Sequence, residues 1–135
     1  TRGLHIAVIN NLTFKVMFTK VFDTYATSSD LDSFIVKVKI PDGYIIAAAA
    51  EDDCTKSLSK LGKMWFDDMG SKHIRYLNFR HGFAFIGKTG CKEANESMSM
   101  SEVTKASVAN VFSTPGPKLK YDIDDKENLD SDNEE

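Results

Sequence analysis

Three consecutive acids, Glu51-Asp52-Asp53, follow an apolar run and stand where a loop can present them. Paired-carboxylate sugar hydrolysis needs two acids on opposite sides of a cleft, and neighbours in one loop cannot straddle a sugar ring. A calcium loop needs acids at alternate positions, a glycine and a closing glutamate, a pattern missing here. His5, His73 and His81 lie outside any nucleophile motif. His5 and His73 fall within strand-like runs, while His81 falls in a turn with no evident partner residue. Cys54 and Cys91 stand 37 positions apart, without zinc-ligand spacing. One disulfide and two free thiols both remain open. Gly82 to Thr89 (GFAFIGKT) satisfies the letters of a phosphate-binding loop. Its middle, Phe83-Ala84-Phe85-Ile86, has the composition of a strand, and no amphipathic helix follows. These residues predict no enzyme, no metal and no cofactor.

The elements that must position them can be read from periodicity. Leu4–Ile9 and Phe14–Tyr25 alternate apolar and polar residues around an Asn10-Asn11 turn, which predicts a hairpin. Thr27-Ser28-Ser29-Asp30 opens a helix whose stripe is Leu31, Phe34, Ile35 and Val38. Pro41-Asp42-Gly43 then makes a turn. Tyr44–Ala50 (YIIAAAA) is apolar on both sides and predicts a central strand covered on both faces. The three acids are expected at the start of a second helix, with Leu58, Leu61, Trp65 and Met69 as its stripe and Gly70 as its stop. His73–Phe79 and Phe83–Gly87 read as two further strands. The order β-β-α-β-α-β-β predicts an α+β fold, one compact domain of small mixed or antiparallel sheets covered by two helices.

The 135 residues suffice for one domain, and 41% apolar with 27% charged residues is ordinary for a globular chain. The net charge of −3 is uneven: residues 122–135 carry eight carboxylates against Lys126, or −7, leaving +4 elsewhere. That profile excludes a nucleic-acid binder, which needs concentrated Lys and Arg. No apolar run reaches 18 residues, so membrane insertion is not expected. The chain opens at Thr1 with no signal peptide, which reads as a processed or excised piece. Residues 1–90 are expected to form the core and 91–121 a peripheral extension, with Met98, Met100, Val103, Val108, Val111 and Phe112 suited to a peripheral helix. The tail 122–135 is expected to be disordered. Asn11-Leu12-Thr13 and Asn95-Glu96-Ser97 are glycosylation sequons, both in expected loops, and favour a secretory route.

The words Arg2-Gly3-Leu4-His5-Ile6-Ala7-Val8-Ile9-Asn10, Val21-Phe22-Asp23-Thr24-Tyr25 and Met69-Gly70-Ser71, followed by Phe79-Arg80 and Phe83-Ala84-Phe85-Ile86-Gly87, occur in order. Together they resemble the interleukin-like EMT inducer / pancreatic-derived-factor domain over about residues 2–90. The word Val21–Tyr25 is most similar to the branch that forms the stem of protein O-mannose β-1,2-N-acetylglucosaminyltransferase. The resemblance implies a secreted or Golgi-luminal, non-enzymatic module of small sheets and two helices. In the stem branch it implies a lectin-like site for a β-linked N-acetylglucosamine end, carried here by Lys20, Asp52 and Arg80. An acid accepts paired sugar hydroxyls, and cations donate to ring or acetamido oxygens. The expected partner is thus a glycan or glycoprotein. The alternative is a secreted, cytokine-like ligand for a cell-surface receptor.

Overall fold

The computed structural model describes residues 1–100. It is an α+β domain built on one five-stranded antiparallel sheet. The strands are β1 (Gly3–Ile9), β2 (Val16–Phe22), β3 (Ile45–Glu51), β4 (Gly82–Lys88) and β5 (Asn95–Ser99), in the order β2-β1-β3-β4-β5. Helices α1 (Ser29–Val38) and α2 (Lys60–Asp68) cover one face. Alternation dictates which side chains go inward. Leu4, Ile6 and Val8 of β1, Ile46 and Ala48 of β3, and Phe83 and Phe85 of β4 meet Leu31, Phe34 and Phe66 from the helices. An aromatic chain runs through that layer, with Phe18 stacked on Phe34 and Phe66 set edge-on to Phe83 and Phe85.

The α+β class, the initial hairpin, both helices and the central strand agree with the sequence reading. Four local expectations need correction. His73–Phe79 is not a strand but a 3₁₀ turn, Ile74–Tyr76, with flanking loop. Ile74 and Leu77 are both buried at i and i+3, a spacing that a 3₁₀ turn places on one side. The Glu96 carboxylate accepts from the backbone N–H groups of Lys72 (2.6 Å) and His73 (3.2 Å), which bends the chain there. The last strand is instead Asn95–Ser99, within the stretch assigned to a peripheral extension. It pairs Met98 with Phe83 and Glu96 with Phe85. Weak alternation hid it, since an edge strand with a polar outer side needs little apolar content. The rest of the expected extension and the acidic tail, residues 101–135, lie outside the described residues.

The three acids do not open a helix either. Helix α2 begins at Lys60, capped by Ser59, whose Oγ accepts from the Gly62 N–H (3.0 Å) and donates to Asp32 Oδ1 (2.6 Å). The central strand is covered on one face only, because Ala49 is exposed and Ala47 half-buried. On that open face the pairing aligns Val21, His5, Ala49, Ala84 and Ser97 in one row across the sheet. Thr19, Ala7, Ala47, Ile86 and Asn95 form the next.

Candidate functional site

Antiparallel pairing of β3 with β4 brings the end of one strand beside the start of the other, and the loop carrying the acids beside the loop entering β4. Both loops turn through residues in the left-handed region, Asp52 (φ 57°) and Arg80 (φ 59°). Neither is glycine, so each conformation carries strain that its surroundings must hold. The side chains meet: Arg80 Nε lies 3.0 Å from Asp52 Oδ1, with the two side chains 52% and 45% exposed. The Arg80 guanidinium also sits 5.2 Å from the centroid of Phe79, whose ring is 60% exposed.

A second charged pair flanks the first. Arg2 donates to Asp23 through Nε (3.0 Å) and Nη2 (2.7 Å), a bidentate fork. The hydrogen bond from Arg2 holds the Asp23 carboxyl below its ordinary range. Asp23 in turn raises Arg2, and Asp52 adds a smaller electrostatic push in the same direction. Tyr25 carries two cations on its ring, Arg2 at 4.2 Å and Lys56 at 4.7 Å. Beside them Glu51 accepts from the amino group of Thr1 (2.6 Å) and lies 2.9 Å from His5 Nε2.

Lys20 is not part of this arrangement. It pairs with Ile6, which pairs with Ala48, four residues before Asp52. At ~3.3 Å per residue and ~4.8 Å per strand, the backbones of Lys20 and Asp52 stand roughly 16 Å apart, too far for contact. Its ammonium rests 5.3 Å from the Phe22 ring. A hollow of about 620 Å³ over the open sheet face, floored by Ala7, Ala47, Ala49 and Ala84, is bordered by Lys20, whose pairing with the inward-facing Ile6 puts its side chain on the helix-covered face. Asp52 and Arg80 do not line it.

Of the other candidates, Asn11 lies in the hairpin turn as expected, whereas Asn95 begins a strand rather than a loop. Gly82–Lys88 is all strand, and both Lys88 and Thr89 are buried, so no phosphate loop forms. His73 precedes the 3₁₀ turn instead of lying in a strand. Both cysteines are free. Burial pushes the Cys54 thiol up to about 12, with the Asp53 charge adding to the effect. Among the described residues, no three His, Cys, Asp or Glu side chains gather as a metal site. None of their helices is long and apolar enough to cross a membrane.

The ordering of these motifs along one sheet has a match among known families: the family described as Interleukin-like EMT inducer (ILEI) matches residues 2–91. The chain belongs to the ILEI family. This ILEI chain is 36% identical to human Protein FAM3D over 87 residues, 64% of the chain and 38% of that protein. It is 35% identical to human Protein FAM3C over 92 residues, 67% of the chain and 40% of the relative. It is 29% identical over 90 residues to the human cell migration-inducing and hyaluronan-binding protein, covering 66% of the chain and 7% of that relative. The ILEI chain thus spans less than half of each of these relatives. Asp52 and Arg80 fall inside the family match.

Sequence reasoning passed over Arg2, Asp23, Tyr25 and Phe79 as site residues, and weighed Asp53 only as one of the three acids. Asp23 and Tyr25 belong to the word Val21–Tyr25, and Arg2 opens the first family word, so their positions were marked but not their roles. Only the adjacency of three strand ends puts them near Asp52.

Proposed function

We propose that this ILEI domain is a non-catalytic binding module that holds a terminal sugar of a glycan or glycoprotein at the Asp52–Arg80 pair. The observation that carries this reading is that a half-exposed carboxylate and guanidinium are already 3.0 Å apart beside an exposed aromatic ring. The carboxylate accepts from vicinal hydroxyls, the guanidinium donates to a ring or acetamido oxygen, and Phe79 offers a flat apolar surface to a pyranose face. A relative named as hyaluronan-binding and matched over the same domain supports a glycan partner. β-Linked N-acetylglucosamine is the sugar to test first, and the working compartment is extracellular or the Golgi lumen. The test is an NMR titration of the domain with a disaccharide ending in that sugar. Amide shifts clustered at residues 52–53 and 79–81, and abolished in Asp52→Asn and Arg80→Gln, are the expected result. Saturating sugar that moves no amide in this cluster refutes the reading.

A second reading, a secreted cytokine-like ligand for a protein receptor, draws on the exposed rings of Tyr76 and of Phe79, the latter beside the same pair. It expects cell-surface binding that survives Asp52→Asn and is lost in a Tyr76→Ser/Phe79→Ser variant.

A further inference from the structure

Asp53 is the one neighbour of Asp52 that faces inward. It is 1% exposed, and no part of the proposed sugar contact uses it. Its carboxylate is nonetheless fully engaged. Oδ1 accepts from the backbone N–H of Arg80 (2.9 Å) and from the Thr55 hydroxyl (2.8 Å), and Oδ2 accepts from the Lys56 N–H (3.0 Å). Two of these bonds close the acid's own loop. The third crosses 27 positions of sequence to the loop that enters β4. It ends on the backbone of the very residue that is left-handed and whose guanidinium meets Asp52. Burial alone would raise this carboxyl, but the bonds from Arg80, Thr55 and Lys56 outweigh it and the acid is held ionised below its ordinary range.

We propose that Asp53 is the positioning residue of the site: its buried carboxylate clamps the Arg80 amide, holds Arg80 left-handed, and so aims the guanidinium at Asp52. Adjacent acids then divide the work. Asp52 is presented to solvent, while Asp53 fixes the partner that Asp52 needs. An exposed ion pair between two flexible side chains is worth little and is readily lost. A charge-assisted hydrogen bond to a backbone N–H in a buried setting is stronger and directional. The clamp thereby converts a weak surface pair into a preorganised one. The loop bearing Asp53 is itself anchored, because the buried Thr24 hydroxyl donates to the Cys54 carbonyl (2.7 Å) and the Ser57 N–H donates to the Thr24 carbonyl (2.7 Å).

The proposal deepens the sugar-binding reading and rests on it for the site's purpose, but its test uses no sugar. In the unaltered domain, NMR should detect a through-hydrogen-bond coupling between the Arg80 amide nitrogen and the Asp53 side-chain carboxyl carbon. In Asp53→Asn, the Arg80 Nε–H should exchange with solvent at least tenfold faster than in the parent, and the Asp52 carboxyl shift should move to its value in Arg80→Gln. Thr55→Ala, which removes a bond to Asp53 but none to Arg80, should leave both Arg80 signals in place. Absence of the coupling in the unaltered domain overturns the proposal, even if Asp53→Asn fails to fold. So does a folded Asp53→Asn whose Arg80 Nε–H protection is unchanged, whatever its melting temperature. Loss of sugar binding alone, with the coupling present, counts against the sugar and not against the clamp.

Discussion

The two ends of the sheet close their loops by different chemistry. At the end where β3 begins, the loops are closed by two neutral, buried side chains, Thr89 and Asn10, with the buried Lys88 beside them. The Thr89 hydroxyl donates to the Pro41 carbonyl (2.6 Å) and accepts from the Tyr44 N–H (2.9 Å). Nearby, Asn10, 2% exposed, accepts from the Leu12 and Thr13 N–H groups through Oδ1. At the end where β3 finishes, Asp53 and the Thr24 hydroxyl supply buried anchors, and the ion pairs Arg2–Asp23 and Arg80–Asp52 stand around them half in water. The second end adds half-exposed ion pairs, and solvent-facing ion pairs add little stability. Groups held in fixed geometry without a stability return are what a binding site looks like.

The largest effect that would break this contrast is at the Thr89 end. Thr89→Val keeps the shape but strands the Tyr44 N–H and the Pro41 carbonyl, and should lower unfolding free energy by about 1–3 kcal/mol. Urea denaturation measures it, and a loss under half of that range would show that water enters this end freely. Next in size is acid sensitivity. The folded carboxyl of Asp53 lies below its ordinary 3.8, so the stability it contributes is present above that value and fades as pH falls through the lowered native one. The stability gap between parent and Asp53→Asn should therefore be widest near neutral pH and narrow in acid, as read from denaturation midpoints at several pH values. A gap that is constant with pH would mean that ionisation is not what the clamp uses.

A chemical comparison sharpens the same picture. Cys54 adjoins the clamp and is fully buried, which pushes its thiol up to about 12, whereas Cys91 is half-buried. Maleimide at pH 8 should label Cys91 first and leave Cys54 unmodified until the domain unfolds. Equal labelling rates would mean that the loop around Asp53 opens readily. The smallest effect is expected at the exposed pair itself. Arg80→Gln should change stability by less than about 1 kcal/mol while removing the sugar-dependent shifts. A larger destabilisation would move Arg80 from a binding role to a structural one.

Much of the fold was legible because burial imposes period on sequence. Leu31, Phe34, Ile35 and Val38 named α1, and the apolar run after Pro41-Asp42-Gly43 named the central strand. His73–Phe79 misled because Ile74 and Leu77 suit a strand no better than a 3₁₀ turn, and Glu96, a distant residue in sequence, decided between them. β5 was unreadable for a related reason, since pairing to β4, rather than its own composition, makes it a strand.

For the site, the family words marked Arg80, and the resemblance implied Asp52 as the acid after the inner strand, without giving their distance. Local chemistry determined that the acid run closes the inner strand, with Glu51 as its last residue and Asp52 and Asp53 in the loop that follows. Tertiary structure alone decided that one acid turns outward and the next inward, and that Lys20 stays behind on an edge strand. Each of those outcomes depends on which strand ends the antiparallel ladder places side by side, and hydrogen bonds between residues 27 positions apart leave no trace in the periodicity of either segment.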